Sequence, residues 1–197
     1  MEFRNLRTLT LVVAVMVMAD ALWTPVILLW AAALPVAFQT VIAPIASAVD
    51  TAALCFKIAT MIVFARWIYV AGSNLVDADV MDLEFTPASR IWWFFVPIAS
   101  LFKPFQGMRE LWNASHGIYP GDVSSSLVAT WWGLWLLANM VGYATGVIAN
   151  PSGNNPAIIW VSCGVDIATA VTAIMMIRGI ARSQEQLGGA SLSEVFA

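Results

Sequence analysis

Three ionisable side chains lie close together in a stretch of mixed polarity: Glu110, His116 and Asp122. These residue types serve as general acids and bases, and they support one interpretation of the chain, an enzyme that acts through Glu110 and His116. No serine nucleophile elbow, HExxH motif, CxxC motif or glycine-rich phosphate loop accompanies them. We therefore interpret Arg109 and Glu110 as a solvated pair on an amphipathic helix, and we predict no catalytic site, metal site or cofactor.

Four other polar side chains are isolated inside long apolar runs, one in each run: Asp20, Lys57, Asn139 and Asp166. At a rise of ~1.5 Å per residue, each lies roughly 18–21 Å along its helix, near the middle of a bilayer. An unpaired charge there costs at least ~2.5–3.5 kcal/mol. We therefore expect Lys57 to pair with Asp20 or Asp166. The cluster could relay protons or ions, but a buried tether that fixes helix register is the favoured interpretation.

Composition places these runs in a membrane. The chain is 60% hydrophobic and 11% charged, with a mean hydropathy of +0.81, whereas a globular chain has roughly 25% charged residues. The net charge of −3, without a basic patch that contains interleaved aromatic residues, argues against a nucleic-acid partner. Cys55 and Cys163 fall inside apolar runs, where we expect packed thiols rather than a disulfide.

Four apolar runs are long enough to cross a bilayer core, which takes ~20 residues. The predicted spans are 8–37, 44–71, 127–149 and 157–177. The first run is too long for a signal peptide and contains Asp20, so it is interpreted as an uncleaved span. Residues 183–197 are predicted to be a flexible tail. The predicted fold is all-α, a single polytopic membrane domain over 1–197.

A proline-broken element is predicted between the second and third spans, at about 87–115. Its apolar centre is about a dozen residues long, too short to cross, and Pro97 and Pro104 interrupt it. Its aromatic residues are typical of the lipid–water interface. The sequence therefore predicts an interfacial or re-entrant platform, formed by Trp92, Trp93, Phe95, Pro97, Arg109, Glu110 and Trp112.

Lysine and arginine set the expected orientation. The predicted external loops, 35–49 and 150–156, contain neither residue type. Seven basic residues flank the opposite ends of the spans: Arg4, Arg7, Arg90, Lys103, Arg109, Arg178 and Arg182. This pattern predicts that both termini are cytoplasmic and that the platform lies on the cytoplasmic leaflet.

Gly142 and Gly146 form a G-x-x-x-G motif in the third span. Small residues let a neighbouring helix approach closely. We expect this motif to serve packing within the chain, with homo-oligomer formation as the alternative.

The central motifs resemble a known family. They are Ile91–Ala99, Lys103–Phe105, Met108–Ser115 and Trp131-Trp132. These residues are similar to the WWFxPIxNL–P–REIW-like core of the bacterial membrane family catalogued as domain-of-unknown-function family 4328, with Ser100 where that family often has asparagine. The resemblance covers the second span through the fourth. It implies an integral bacterial membrane protein and no established activity. The predicted location is the cytoplasmic (inner) membrane.

Two further functional hypotheses remain beside the interfacial enzyme. The favoured one is a non-enzymatic accessory or scaffold protein whose aromatic cytoplasmic platform binds membrane lipid or a membrane-protein partner. The alternative is a small proton- or ion-coupled transporter that uses Asp20, Lys57 and Asp166.

Overall fold

The computed structural model of the protein describes residues 4–118, 126–148 and 156–195, and within them every regular element is helical. The α-helices are α1 (Arg7–Ala33), α2 (Pro35–Ala37), α3 (Ala46–Asp77), α4 (Ser89–Trp92), α5 (Lys103–Ser115), α6 (Ser126–Ile148) and α7 (Pro156–Val195). A π-helix at Phe38–Ile42 and 3-10 turns at Ala43–Ile45 and Ala99–Leu101 complete the set.

Four stretches of these helices are long and apolar enough to cross a membrane, so the predicted all-α fold with four span-length helices is confirmed. They are Arg7–Ala33, Pro35–Asp77, Ser126–Ala144 and Ala157–Gly188. Helix α1 packs against α3 and α7, and α7 also packs against α6. The short helix α5 packs against α3, α6 and α7 together.

The helices meet α5 at one end of the bundle, which we name the terminal end. Here the start of α1, the end of α3, the start of α6 and the middle of α7 form one apolar core with α5. Its largest fully buried members include Trp67, Leu75, Leu111 and Ile177. The opposite end, formed by the end of α1 and the start of α3, is named the hairpin end. No residue from 26 to 59 is buried.

Two predicted boundaries are wrong. The segment between the first two spans is not a loop: it continues as the π-helix and a 3-10 turn, so the chain stays helical through Pro44. The predicted tail at 183 is also wrong for the described residues, because α7 continues to Val195. Gln184 is buried against other helices, and these contacts extend the helix where local composition alone favours a loose tail. The predicted turn cluster at 150–155 lies outside the described residues.

Candidate functional site

A buried ion pair holds α5 in place. The Nη2 of Arg90 lies 2.8 Å from Oε1 of Glu110, and their side chains are 0% and 7% exposed. The backbone N–H of Phe85 also donates to the Glu110 carboxylate, at 3.2 Å and 3.4 Å to its two oxygens. The Nε of Arg90 donates to the carbonyl of Gly107 at 3.4 Å. The pair therefore joins α4 and the segment before it to α5.

The prediction that Glu110 forms a solvated pair with Arg109 is wrong. Adjacent residues on a helix point to different faces, and α5 turns Glu110 towards α4 while Arg109 lies over the ring of Phe105, 5.5 Å from its centroid. Burial raises the pKa of Glu110 above its ordinary value of 4.5, although the Arg90 charge and the Phe85 N–H act in the opposite direction. The geometry gives this carboxyl a structural role.

A network of amide side chains joins four segments at the terminal end. The Oε1 of Gln184 accepts from Nδ2 of Asn74 at 3.0 Å, and its Nε2 donates to the carbonyl of Ala71 at 3.0 Å and to Oγ of Ser115 at 2.9 Å. Asn74 also exchanges hydrogen bonds with the backbone of Arg4, at 3.0 Å and 3.1 Å. Because Asn74, Ser115 and Gln184 are buried, these bonds satisfy groups that water does not reach.

Sequence reasoning did not identify Arg90, Asn74 or Gln184 as site residues. For Gln184 a signal exists: Ile177, Ile180 and Gln184 are spaced by three and four residues, which places them on one face of a helix. For Arg90 and Glu110 no local pattern exists, because the two charges come from separate elements.

Close packing also moves Trp112 away from the predicted platform. A Cβ added at Gly179 of α7 would lie 2.7 Å from Cζ3 of Trp112, so the indole rests directly on the α7 backbone. The ring of His116 also stacks on the Trp112 indole, with 4.2 Å between the ring centroids. Trp112 is therefore half-buried and contributes to the core rather than to an exposed docking surface.

The exposed part of the platform is residues 92–102, which we name the aromatic loop. Trp92 is 68% exposed, Phe95 is 67% exposed and Ile98 is 76% exposed, and Pro97 is exposed as well. Ile98 has a φ of 65°, a left-handed backbone conformation that is strained for a β-branched residue. The carbonyl of Leu101 accepts a hydrogen bond from the Trp132 indole at 3.1 Å, which attaches the loop to α6.

The remaining platform residues are less exposed. Trp93 is half-buried, and the Nζ of Lys103 lies 6.0 Å from its ring centroid. Of the seven predicted platform residues, Trp92, Phe95 and Pro97 are exposed, Trp93, Arg109 and Trp112 are half-buried, and Glu110 is buried.

Three of the four predicted intramembrane polar residues come together. The Nζ of Lys57 lies 3.6 Å from Oδ2 of Asp20, with the lysine side chain 61% exposed. Asp166 lies within electrostatic range of both residues and accepts a hydrogen bond from Ser162. Asn139 does not join them: it is exposed, and its amide donates to the Trp135 carbonyl of its own helix at 2.7 Å. Spacing along four separate helices fixes depth, but it does not fix which way each side chain points.

The intrachain use of the G-x-x-x-G motif stays a prediction, and only its first glycine, Gly142, lies among residues whose packing the structure describes. A methyl group added there would meet no described atom within 4 Å. Gly146 lies among residues whose packing the structure does not describe.

The two described members of the acid/base set, Glu110 and His116, each have another partner. Glu110 is committed to Arg90, and Nδ1 of His116 lies 2.7 Å from the Trp112 carbonyl. Asp122 is outside the described residues. Among the described residues, no three His, Cys, Asp or Glu side chains are grouped so that they could hold a metal ion. Cys55 and Cys163 are free thiols.

Four span-length helices, with a buried ion pair that holds α5 and an amide network that joins α3, α5 and α7 at one end, define an all-α, membrane-type protein. The family described as "Domain of unknown function (DUF4328)" matches residues 37–182, and the chain belongs to this family. The matched region contains Asn74, Arg90 and Glu110, and the aromatic loop. Neither the search of curated proteins nor that of solved structures found a match.

Proposed function

We propose that this chain is a non-enzymatic accessory protein of the bacterial inner membrane that docks a partner through its aromatic loop on the cytoplasmic side. The observation that carries the proposal is the contrast between this loop and its base. Large apolar side chains of residues 92–102 are exposed, while the helix directly behind them, α5, is densely packed and ion-paired. A rigid base that presents an apolar, strained loop is suited to binding a partner.

The chemistry of the loop favours lipid of the adjacent leaflet as the partner. Tryptophan and phenylalanine concentrate at the lipid–water interface, where an amphipathic ring contacts both phases. Lys103 at the end of the loop pairs with Glu84 at 3.2 Å and marks the level at which the segment returns to water. The loop is attached at the terminal end, next to the ends of the span-length helices, so it lies at the depth of a leaflet surface.

The distribution of basic residues supports a cytoplasmic location for this end. Arg4, Arg7, Arg178 and Arg182 belong to the segments that meet at the terminal end, whereas residues 35–49 at the hairpin end contain no Lys or Arg. Basic residues are retained on the cytoplasmic side of bacterial membrane proteins.

Loop insertion can be tested with an environment-sensitive fluorophore attached to a cysteine introduced at Ile98, in a background without Cys55 and Cys163. The full chain is reconstituted in nanodiscs that contain lipids with quenchers at known depths. Met81 is the matched control, because it is equally exposed at 76% but lies between α3 and α4, in residues 78–88, which include Asp79, Asp82 and Glu84. We expect strong quenching at position 98 and weak quenching at position 81.

A second measurement separates lipid from protein partners. The triple variant Trp92→Ser/Phe95→Ser/Ile98→Ser is purified from its membrane in mild detergent beside the wild type. Stoichiometric protein that is lost in the variant, with no quenching at position 98, would identify a membrane-protein partner instead of lipid. Equal quenching at positions 98 and 81, with identical co-purifying material in both preparations, would refute the docking function.

A second candidate function, a small proton- or ion-coupled carrier, is favoured by one observation. Asp20, Lys57 and Asp166 come from α1, α3 and α7 and interact electrostatically. Ionisable groups inside a membrane commonly mark ion pathways. Proteoliposome flux that is lost with Asp166→Asn and retained with Asp50→Asn, an exposed control at the hairpin end, would support a carrier. Absence of protein-dependent flux would exclude it.

A further inference from the structure

A groove of about 460 Å³ lies between α1 and α7 at the terminal end, and three arginines line it. The complete lining is Arg7, Thr10, Leu11, Arg178, Ala181, Arg182 and Glu185. We propose that this groove binds a phosphate group, and that in the membrane the ligand is the headgroup phosphate of an anionic phospholipid. It shares no residue with the aromatic loop and is a separate site.

The charge of the groove supports an anionic ligand. Three of the seven lining residues are arginines, and Glu185 is the one acidic residue among them. Within the described part of the chain, the ion pairs closer than 4.0 Å involve other basic residues: Arg4, Lys57, Arg90 and Lys103. The planar guanidinium fork matches the oxygens of a phosphate and binds it through two parallel hydrogen bonds. Arg178 and Arg182 are four residues apart, so they are neighbours on one face of α7.

The start of α1 adds to the same potential. Arg7 is the first residue of this 27-residue helix, and the partial positive charge of a helix N-terminus attracts anions. The groove wall is fixed at this point, because the Oγ1 of Thr10 accepts a hydrogen bond from the Trp67 indole at 2.8 Å in the buried core. A site with a fixed wall has less conformational entropy to lose when a ligand binds.

The depth of the groove favours a lipid over free phosphate. Arg178 directly follows the apolar run 157–177 of α7, and Leu11 in the groove wall is exposed. A ligand in the groove would therefore meet arginine at its charged end and apolar side chains on the membrane side. Basic pockets between transmembrane helices bind anionic headgroups in this way.

The test is native mass spectrometry of the purified full chain in mild detergent, titrated with phosphatidylglycerol, with phosphatidylcholine or with inorganic phosphate. Arg178→Gln is compared with Arg66→Gln, which removes the same charge from an exposed position on α3. We expect saturable phosphatidylglycerol binding that Arg178→Gln weakens about fivefold, the typical contribution of one basic residue near a membrane surface. Arg66→Gln should have no effect, and Glu185→Gln should strengthen binding because it removes the one negative charge.

The outcomes separate the two sources of phosphate. Phosphatidylglycerol binding that inorganic phosphate does not displace identifies the lipid headgroup, whereas displacement at equal affinity identifies a free phosphate ligand in the same groove. Equal weakening by Arg178→Gln and Arg66→Gln, or unchanged binding in Glu185→Gln, would overturn the site. Arg178→Lys, which keeps the charge, checks that a loss in Arg178→Gln does not come from misfolding. The triple aromatic-loop variant should bind phosphatidylglycerol normally, so failure of the proposed docking function would leave this result unchanged.

Discussion

The two ends of the helical bundle are constructed differently. At the terminal end, α5 and parts of four longer helices enclose a core that contains an ion pair and an amide network. At the hairpin end, no residue from 26 to 59 is buried. The difference in burial between the two ends is expected for a protein surrounded by lipid. Lipid tails are as apolar as leucine, so burying apolar surface between helices gives little net gain in free energy inside a bilayer. Among the described residues, specific packing is therefore concentrated at the terminal end of the bundle.

The comparison predicts that the largest loss of stability follows from breaking the ion pair at the terminal end. Glu110→Ala leaves the Arg90 charge buried without its carboxylate partner, and we expect the free energy of unfolding to fall by about 3–5 kcal/mol. The measurement is unfolding by sodium dodecyl sulfate in mixed micelles, followed by circular dichroism. Glu84→Ala, which removes the exposed partner of Lys103, is the control and should cost at most about 1 kcal/mol. Similar losses of stability in both variants would show that the buried ion pair contributes no more to folding than the exposed one.

Removing the centre of the amide network should have the next largest effect. Gln184→Ala deletes the groups that bond to Asn74, Ala71 and Ser115, and a buried polar group left without a partner costs roughly 1–3 kcal/mol. The same unfolding assay should show no change for Gln186→Ala, because residue 186 is exposed on the same helix. If Gln184→Ala left the free energy of unfolding unchanged, the amide network would not contribute to the stability of the fold.

Overpacking at the terminal end should be measurable but smaller. Gly179→Ala places a methyl group 2.7 Å from the Trp112 ring. Overpacking costs about 1–3 kcal/mol, and the higher helix propensity of alanine offsets up to about 1 kcal/mol of this. Gly164→Ala is the matched control on α7, since its methyl group would meet no atom within 4 Å. We expect a net loss of stability for Gly179→Ala and no loss for Gly164→Ala. The reverse order would contradict the close approach of α5 and α7.

The intramembrane ion pair should contribute less than the pair at the terminal end. In a double-mutant cycle with Asp20→Asn and Lys57→Met, we expect a coupling energy of about 0.6 kcal/mol and at most about 1.7 kcal/mol, the mean and the maximum measured for polar contacts between membrane helices. A partly exposed pair separated by 3.6 Å has weaker geometry than Arg90 and Glu110. Coupling larger than that of an equivalent cycle at Arg90 and Glu110 would reverse the ranking of the two regions.

The smallest expected effect is a pH dependence. Because the pKa of Glu110 is raised in the folded state, the folded protein binds more protons than the unfolded chain between pH 4.5 and the raised pKa. Stability should therefore fall slightly as pH rises through this window and then stay level. Glu110→Gln should remove this slope from the thermal unfolding midpoint measured between pH 4 and 8. An unchanged slope in Glu110→Gln would assign the effect to another group.

The span-length helices were predictable because their signal is local. Apolar runs of 20 or more residues specify membrane-crossing helices from composition alone, and the motif between Ile91 and Ser115 was sufficient to indicate the family that was confirmed. The end of α7 was not predictable in this way. Polar, glycine-containing composition after Arg182 favours a loop, and only tertiary contacts of Gln184 reverse that preference.

The site was predictable only in part. Helical rise places four polar residues at similar depths: Asp20, Lys57, Asn139 and Asp166. The rotation of each helix about its axis decides which of these side chains touch, and Asn139 on α6 is exposed. Glu110 was recognised as an acid/base candidate, but its partner Arg90 is 20 residues away in another element. Neither pairing follows from spacing, because both depend on how separate helices dock.

The hydrogen bond between Asn74 and Gln184 joins residues 110 positions apart. At roughly 5–20 residues per second, a ribosome needs about 5–22 s to synthesise that interval. During this time α1 and α3 have already been synthesised, while the side chain of Asn74 has no Gln184 to bond to. Closure of the terminal end is thus a late step of biogenesis, because Gln184 must be synthesised before it can bond to Asn74.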